Sequence, residues 1–170
     1  MFSIASLLLA AVLMMTSKQS LKQLVDVVAM TTGTSIKNLD MSEYDGERLQ
    51  WHLYANSAVE EGDVVKLSMP ALDLYTHQGE VMPIRALRGV YDQQAEVMHF
   101  EGEVRLDFSG WTLHSEKVDF DERKDEVWVP EYFVFSTDDM RITGENMQVS
   151  RKTATIYIWG GVRMEMEGLE

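Results

Sequence analysis

Histidine and acidic side chains are the residues of this sequence that have the chemistry to bind a metal ion. The histidines are isolated from one another, and no pair has the HxxxH or HxH spacing that places two imidazoles on one ion; they are His52, His77, His99 and His114. Carboxylates cluster at Asp119–Glu122 and at Asp138-Asp139, but neither cluster has the spacing of an EF-hand calcium loop. The sequence therefore predicts no metal site, and we interpret both acidic clusters as turns.

Motifs for nucleophilic catalysis and for phosphate binding are absent from the sequence. It has no cysteine and contains no GxSxG, GxGxxG or P-loop motif. Repetitive β folds do host glycosidases with paired carboxylates, so a polysaccharide-active enzyme stays open as an alternative. Most carboxylates here fall in predicted turns or at alternate positions of predicted strands. This distribution favours a protein that is not an enzyme and needs no cofactor.

The composition indicates one acidic domain with an additional segment at its N-terminus. The 170 residues include 15 Lys and Arg and 28 Asp and Glu, which gives a net charge of −13 and excludes a nucleic-acid-binding module. An apolar content of 45% is enough for a packed core. The charge is uneven, because residues 1–39 sum to +2 and residues 40–170 therefore sum to −15. The two parts are suited to different environments.

The first sixteen residues, MFSIASLLLAAVLMMT, are uncharged and almost wholly apolar. As a helix they would span about 24 Å, slightly less than the roughly 30 Å of a membrane's hydrocarbon core. No basic residue precedes this segment and no small-residue cleavage site follows it. We predict that residues 1–16 form an uncleaved transmembrane helix; a cleaved signal peptide on a soluble carrier is the alternative. Residues 17–39 are predicted to form a short helical or linker segment.

The remainder, residues 40–170, repeats one pattern four times. Units that begin at Leu53, Ile84, Leu113 and Ile142 follow at steps of 31, 29 and 29 residues. In the last three units, two stretches of alternating apolar residues are separated by glycine or proline, and a polar turn separates the first of these stretches from the strand before it. The alternating apolar positions predict side chains that face a common interior; they are Leu67, Met69, Met98, Phe100, Val104, Leu106, Val127, Val129, Phe133, Phe135, Ile156 and Ile158.

Repeated bent hairpins predict an all-β fold. One hairpin cannot bury its own apolar face, whereas four stacked hairpins can. A parallel β-helix would need shorter repeats, and a closed barrel would hide its edges. The sequence therefore predicts an open antiparallel β-jelly-roll with one apolar interior, preceded by a single transmembrane helix.

The last predicted strand is expected to form an exposed edge. The segment TIYIW at residues 155–159 is strongly β-prone and uncharged, and no further repeat follows it. We predict that a partner strand continues the sheet here. The predicted contact residues are Thr155, Tyr157, Trp159, Val162 and Met164.

The repeated segments resemble a known family. The segments SEYDGERLQWHLYANSAV, ALRGVYDQQAEVMHFEGEVRL, LHSEKVDFDERKDEVWV and ITGENMQVSRKTATIYIWGGVRM follow one another in an order that resembles the LptC family of lipopolysaccharide-export proteins, within the LptA/LptC superfamily. The resemblance covers about residues 40–167. It implies a jelly-roll whose interior carries the acyl chains of lipopolysaccharide. It also implies an inner-membrane anchor with the β domain in the periplasm.

The resemblance further implies the partners. They are lipopolysaccharide, the LptB/LptF/LptG ABC transporter at the N-terminal helix and the base of the jelly-roll, and LptA at the C-terminal edge. No nucleic-acid partner is expected. An interaction scaffold with a filled core and no ligand is the alternative reading of the apolar positions.

Overall fold

A computed structural model describes residues 35–166 of the chain. This part is built from antiparallel strands joined by turns and loops. They are β1 (Ser35–Asp45), β2 (Arg48–Glu61), β3 (Val64–Ser68), β4 (Ala71–Tyr75), β5 (Val81–Arg85), β6 (Arg88–Asp92), β7 (Val97–Phe108), β8 (Trp111–Asp121), β9 (Glu126–Val129), β10 (Phe133–Ser136), β11 (Met140–Gly144), β12 (Asn146–Ser150), β13 (Thr155–Trp159) and β14 (Arg163–Met166). The predicted all-β antiparallel fold is thus confirmed. The predicted transmembrane helix, residues 1–16, lies outside the described residues.

The strands form two layers that share β2, β7 and β8. The first layer runs β2–β3–β6–β7–β8–β9–β12–β13. The second layer runs β1–β2–β4–β5–β7–β8–β10–β11–β14. One hydrophobic core lies between the layers and draws its side chains from both. The architecture is an open, jelly-roll-like double layer.

The repeated hairpins are present where the sequence predicts them. β6–β7, β8–β9 and β12–β13 are joined by turns over residues 93–96, 122–125 and 151–154. Bends separate the two layers at the predicted glycines and proline. The ladder between β7 and β8 shifts register after Glu101, β9 ends before Pro130, and β13 ends before Gly160. Gly102 and Gly160 have φ values of 78° and 77°, which a residue without Cβ adopts at little cost.

The predicted inward orientation of Met69 is wrong. Met69 has φ 50° and is 47% exposed, and it lies in the bend between β3 and β4. The β2–β3 turn has only two residues, 62–63, whereas the turns of the β6–β7, β8–β9 and β12–β13 hairpins have four. The inward pair of this hairpin is therefore Val65 and Leu67, and the position two residues further on has already left the strand.

The boundary between the linker and the β domain also needs correction. β1 begins at Ser35, so the linker predicted over residues 17–39 ends at least five residues earlier than expected. Leu39 pairs with Ala55 and is buried, which ties this part of the chain to the core. The rest of the predicted linker lies outside the described residues.

Candidate functional site

A continuous apolar ladder crosses the second layer. Its side chains lie directly opposite one another on successive strands, so one row of inward-facing residues runs through the layer. In register order these are Leu53, Leu72, Ile84, Leu106, Leu113, Phe135, Ile142 and Met164. The first seven are at most 9% exposed, whereas Met164 is 57% exposed. The ladder is closed in the middle of the domain and open at its C-terminal end.

A second ladder crosses the facing layer. It contains Val65, Tyr91, Met98, Phe120, Val127, Val149 and Ile156. A shorter parallel row joins Val129, Met147 and Ile158. Ile156 and Ile158 are only partly buried and pack on the edge of the core. Both layers therefore expose their inward apolar face at the same end of the domain.

The structure places most of the predicted interior residues in this core. Leu67, Met98, Phe100, Val104, Leu106, Val127, Val129, Phe133 and Phe135 are all buried, and Ile156 and Ile158 are half-buried. Phe133 fits closely against the backbone, since a Cβ placed on Gly144 would lie 2.9 Å from the Phe133 ring. The interior of the middle hairpins is thus filled by side chains in this conformation.

A polar cluster joins the two layers at the rim where the hairpin turns of the first layer lie. The indole of Trp51 donates to Glu122 Oε1 at 2.7 Å, and the hydroxyl of Tyr91 donates to Glu122 Oε2 at 3.3 Å. Burial, and secondarily the negative charge of Glu122, raises the pKa of Tyr91, so its hydroxyl stays protonated. These contacts join β2 in the second layer to β6 and to the β8–β9 turn in the first.

Arg151 supplies the strongest contacts of this closure. Its side chain is only 4% exposed, and its Nε donates to Asp125 Oδ1 at 2.6 Å. Its Nη1 donates to the carbonyls of Gln50 at 3.0 Å and Tyr75 at 2.9 Å. The guanidinium also lies over the Phe120 ring, with Cζ 5.2 Å from the centroid. One buried cation thereby ties the fourth hairpin to β2 and β4.

Sequence reasoning missed this polar closure. Arg151 and Gln50 are 101 residues apart, and Trp51 and Glu122 are 71 residues apart. In the sequence Arg151 and Glu122 look like ordinary polar turn residues. No local signal in the sequence distinguishes them from their solvent-exposed neighbours.

The carboxylates of this rim do not form a free catalytic pair. Glu122 accepts hydrogen bonds from two buried side chains, and Asp125 is paired with Arg151. Both carboxylates therefore hold the fold together at this point. Across residues 35–166, the His, Asp and Glu side chains form no group of three or more that could hold a metal ion.

The predicted edge residues lie together at the C-terminal end. Within the described range, β13 pairs with β12 alone and β14 pairs with β11 alone. Tyr157, Trp159, Val162 and Met164 are between 44% and 58% exposed, and Thr155 is half-buried. An exposed apolar edge of this kind is a surface onto which a further strand can pair.

In the part of the chain that the structure describes, no helix has the length and hydrophobicity to cross a membrane.

Comparison with known proteins gives a family match and a likeness to solved structures. Residues 3–167 match the family model described as LptC, lipopolysaccharide-assembly, LptC-related. The fold is similar to that of LptH, described as the LptA-homologous periplasmic component of the lipopolysaccharide transport device of Pseudomonas aeruginosa, with a TM-score of 0.55 and 8% sequence identity. That likeness covers 69% of this chain and 95% of LptH, and it shows the fold alone. No curated protein sequence matches the chain.

Proposed function

The chain belongs to the LptC-related family of lipopolysaccharide-assembly proteins, and from this membership we propose that it receives lipopolysaccharide from an ABC transporter and passes it to LptA. The two apolar ladders that open at one end of the domain are the observation that carries this proposal. In the proposed arrangement residues 1–16 anchor the chain in the inner membrane. The β domain then lies in the periplasm, where the transporter LptB/LptF/LptG contacts the helix and the base of the jelly-roll.

The physical basis is the cost of exposing acyl chains to water. Each buried CH₂ group contributes about 0.8 kcal/mol, so a lipid with several acyl chains needs a continuous dry path. The ladders provide such a path from β2 to β14. Because the middle of the path is filled by side chains, acyl chains enter only when the two layers open apart by flexing at the bends. Methionines at Met82, Met98 and Met147 line this region and adapt readily to a new occupant.

A photo-crosslinking side chain at a buried ladder position tests the proposal. We expect a crosslinker at Phe100 or Val129 to capture lipopolysaccharide in cells, because both positions are fully buried between the layers. The matched control is Glu101, which follows Phe100 on β7 but is exposed on the outer face. Capture at Glu101 equal to that at Phe100 would refute an interior path. Capture at neither position would refute lipid carriage by this domain.

We further propose that LptA docks on the C-terminal edge and joins its own interior to the open end of the ladders. In an antiparallel strand, alternate N–H groups point to opposite sides of the strand. One of two neighbouring residues in β13 therefore donates towards β12, and the other donates towards the free edge.

Proline substitutions at Tyr157 and Ile158 separate these two cases. We expect one variant to weaken the fold by breaking a β12–β13 hydrogen bond. The other should keep the circular dichroism spectrum of the native domain and lose LptA binding. Native LptA affinity in whichever of the two variants keeps the native spectrum would show that the edge is not the docking site.

A further inference from the structure

A groove on the outer face of the first layer is separate from the apolar interior. It lies across β7, β8, β9, β12 and β13 and has a volume of about 440 Å³, within the range of small-ligand sites. Its aromatic walls are Trp128 and Trp159, which are 46% and 44% exposed. These are outward-facing residues, so their exposure is unrelated to the opening between the layers.

The two tryptophans lie on the same face of the layer, on strands that one further strand separates. Trp128 is on β9 and Trp159 is on β13, with β12 between them. Trp159 pairs with Asn146, two residues along β12 from Gln148, the partner of Trp128, so at about 4.8 Å per strand step and 3.4 Å per residue the two backbones are about 12 Å apart. The C–H-rich faces of a hexose pack on indole rings, and exposed tryptophans left without an apolar partner in a groove are suited to such contacts.

Polar side chains on both sides of Trp128 complete the site. Gln148 lies opposite Trp128 on β12, and Asp119 lies opposite it on β8. Asp119 Oδ1 is 2.7 Å from His99 Nδ1. Amide and carboxylate oxygens accept hydrogen bonds from hydroxyl groups, and the amide nitrogen donates to them. The alternation of hydroxyl-binding groups and flat apolar rings matches the surface of a saccharide.

The charge of the groove selects among saccharides. Asp119, Asp121 and Glu126 contribute three carboxylates, against Lys124 and His99. Lys124 is already paired with Asp121 at 2.8 Å. A phosphorylated sugar would meet net negative charge here, and an uncharged sugar would not.

We propose that this groove binds uncharged hexose units of a saccharide chain, stacked on Trp128 and Trp159. The groove reaches the rim of the first layer, because Lys124 lies in the β8–β9 turn and Trp128 is only about 7 Å further along β9 than Glu126. It also reaches β13 through Trp159, at the open C-terminal end of the ladders, so a headgroup that leaves the interior there would fall on the groove. On this point alone the inference rests on the proposed function, which supplies the lipid headgroup as the source of the saccharide.

Calorimetric titration of the full chain with delipidated lipopolysaccharide oligosaccharide tests the inference. We expect saturable binding and a shift in tryptophan fluorescence. Trp128→Ala should weaken binding about tenfold or more, while Trp128→Phe should keep most of the affinity because a flat ring remains. Tyr44→Ala is the matched control, since Tyr44 is a 43% exposed aromatic residue on β1. Unchanged affinity in a Trp128→Ala/Trp159→Ala variant, or an equal loss in Tyr44→Ala, would overturn the site.

Two further arms identify the ligand. The affinity for a neutral glucan of equal length is compared with the affinity for the lipopolysaccharide oligosaccharide. Tighter binding of the glucan would overturn the lipid headgroup as the source of the saccharide. A phosphorylated hexose that binds as tightly as the uncharged hexose would overturn the charge selection.

Crosslinking at Phe100 separates this inference from the proposed function. Saccharide binding lost in Trp128→Ala with native lipid capture at Phe100 supports an outer site distinct from the acyl path.

Discussion

Replacing Arg151 by alanine should lower the free energy of unfolding by about 3 kcal/mol. The substitution leaves Asp125 without its partner in a site where its side chain is only 21% exposed. It also removes the donor to the carbonyls of Gln50 and Tyr75 and the contact with the Phe120 ring. Urea unfolding followed by circular dichroism measures the change as a shift of the transition midpoint.

Arg123 provides the matched control for this prediction. It occupies the neighbouring hairpin turn and contacts Glu96 and the carbonyl of Gln94, but its side chain is 55% exposed. An exposed ion pair contributes about 0–1 kcal/mol, so Arg123→Ala should change stability little. Arg151→Lys should fall between the two, because lysine keeps the charge and loses the planar fork that reaches two carbonyls. Equal effects of the two alanine substitutions would show that the buried closure does not hold the layers together.

A Met164→Asp substitution should block the passage of lipid to LptA while leaving the domain folded. Met164 continues the second-layer ladder beyond Ile142, yet it is 57% exposed in the domain alone, so its replacement removes little buried surface. When a partner covers the open end, an ionised carboxylate at this position is buried beside acyl chains. A cost of about 3 kcal/mol slows transfer by about a hundredfold.

Two crosslinkers measure this effect, one at Phe100 in this chain and one in LptA. We expect capture at Phe100 to persist and capture in LptA to fall. Arg163→Asp is the control, because Arg163 precedes Met164 on β14 and its side chain is 76% exposed. Met164→Leu should transfer lipid normally. Native transfer by Met164→Asp would exclude this end of the ladder from the path.

The same substitution at Phe133 would be a weaker test. Phe133 is fully buried and packs against Gly144, so a carboxylate there has no route to water. The variant would lose its fold before it could be assayed for transport. The difference between Phe133 and Met164 arises only from their distance to the open end, since both occupy apolar positions of the repeat.

The repeat itself could be predicted from the sequence. The 29-residue spacing places turns at residues 93–96, 122–125 and 151–154, and the two-residue alternation identifies inward side chains such as Met98, Val127 and Phe133. These features are local, because the pleat of a strand sends successive side chains to opposite faces whatever its partner. The bends at Gly102, Pro130 and Gly160 follow from the same local chemistry.

The repeat pattern does not predict the orientation of a side chain where a turn changes length. Met69 occupies an apolar position when the units are aligned from Leu53, but the β2–β3 turn is two residues shorter than the corresponding turns of the other three units. A loss of two residues keeps the alternation in phase, so the pattern alone cannot reveal the shift. The pairing of β3 with β6, which sets Val65 opposite Tyr91, decides the matter.

By itself the sequence determined the family, the antiparallel hairpins and most of the inward face of this protein. Only the tertiary structure decided that the interior is closed by Arg151 and Glu122 at one rim and open at Met164. It also decided that Trp128 and Trp159 flank one outer groove. The physical reason is distance along the chain. Side-chain periodicity depends on the local backbone. These contacts instead join residues up to 101 positions apart, and they form only when the two layers of strands pack together.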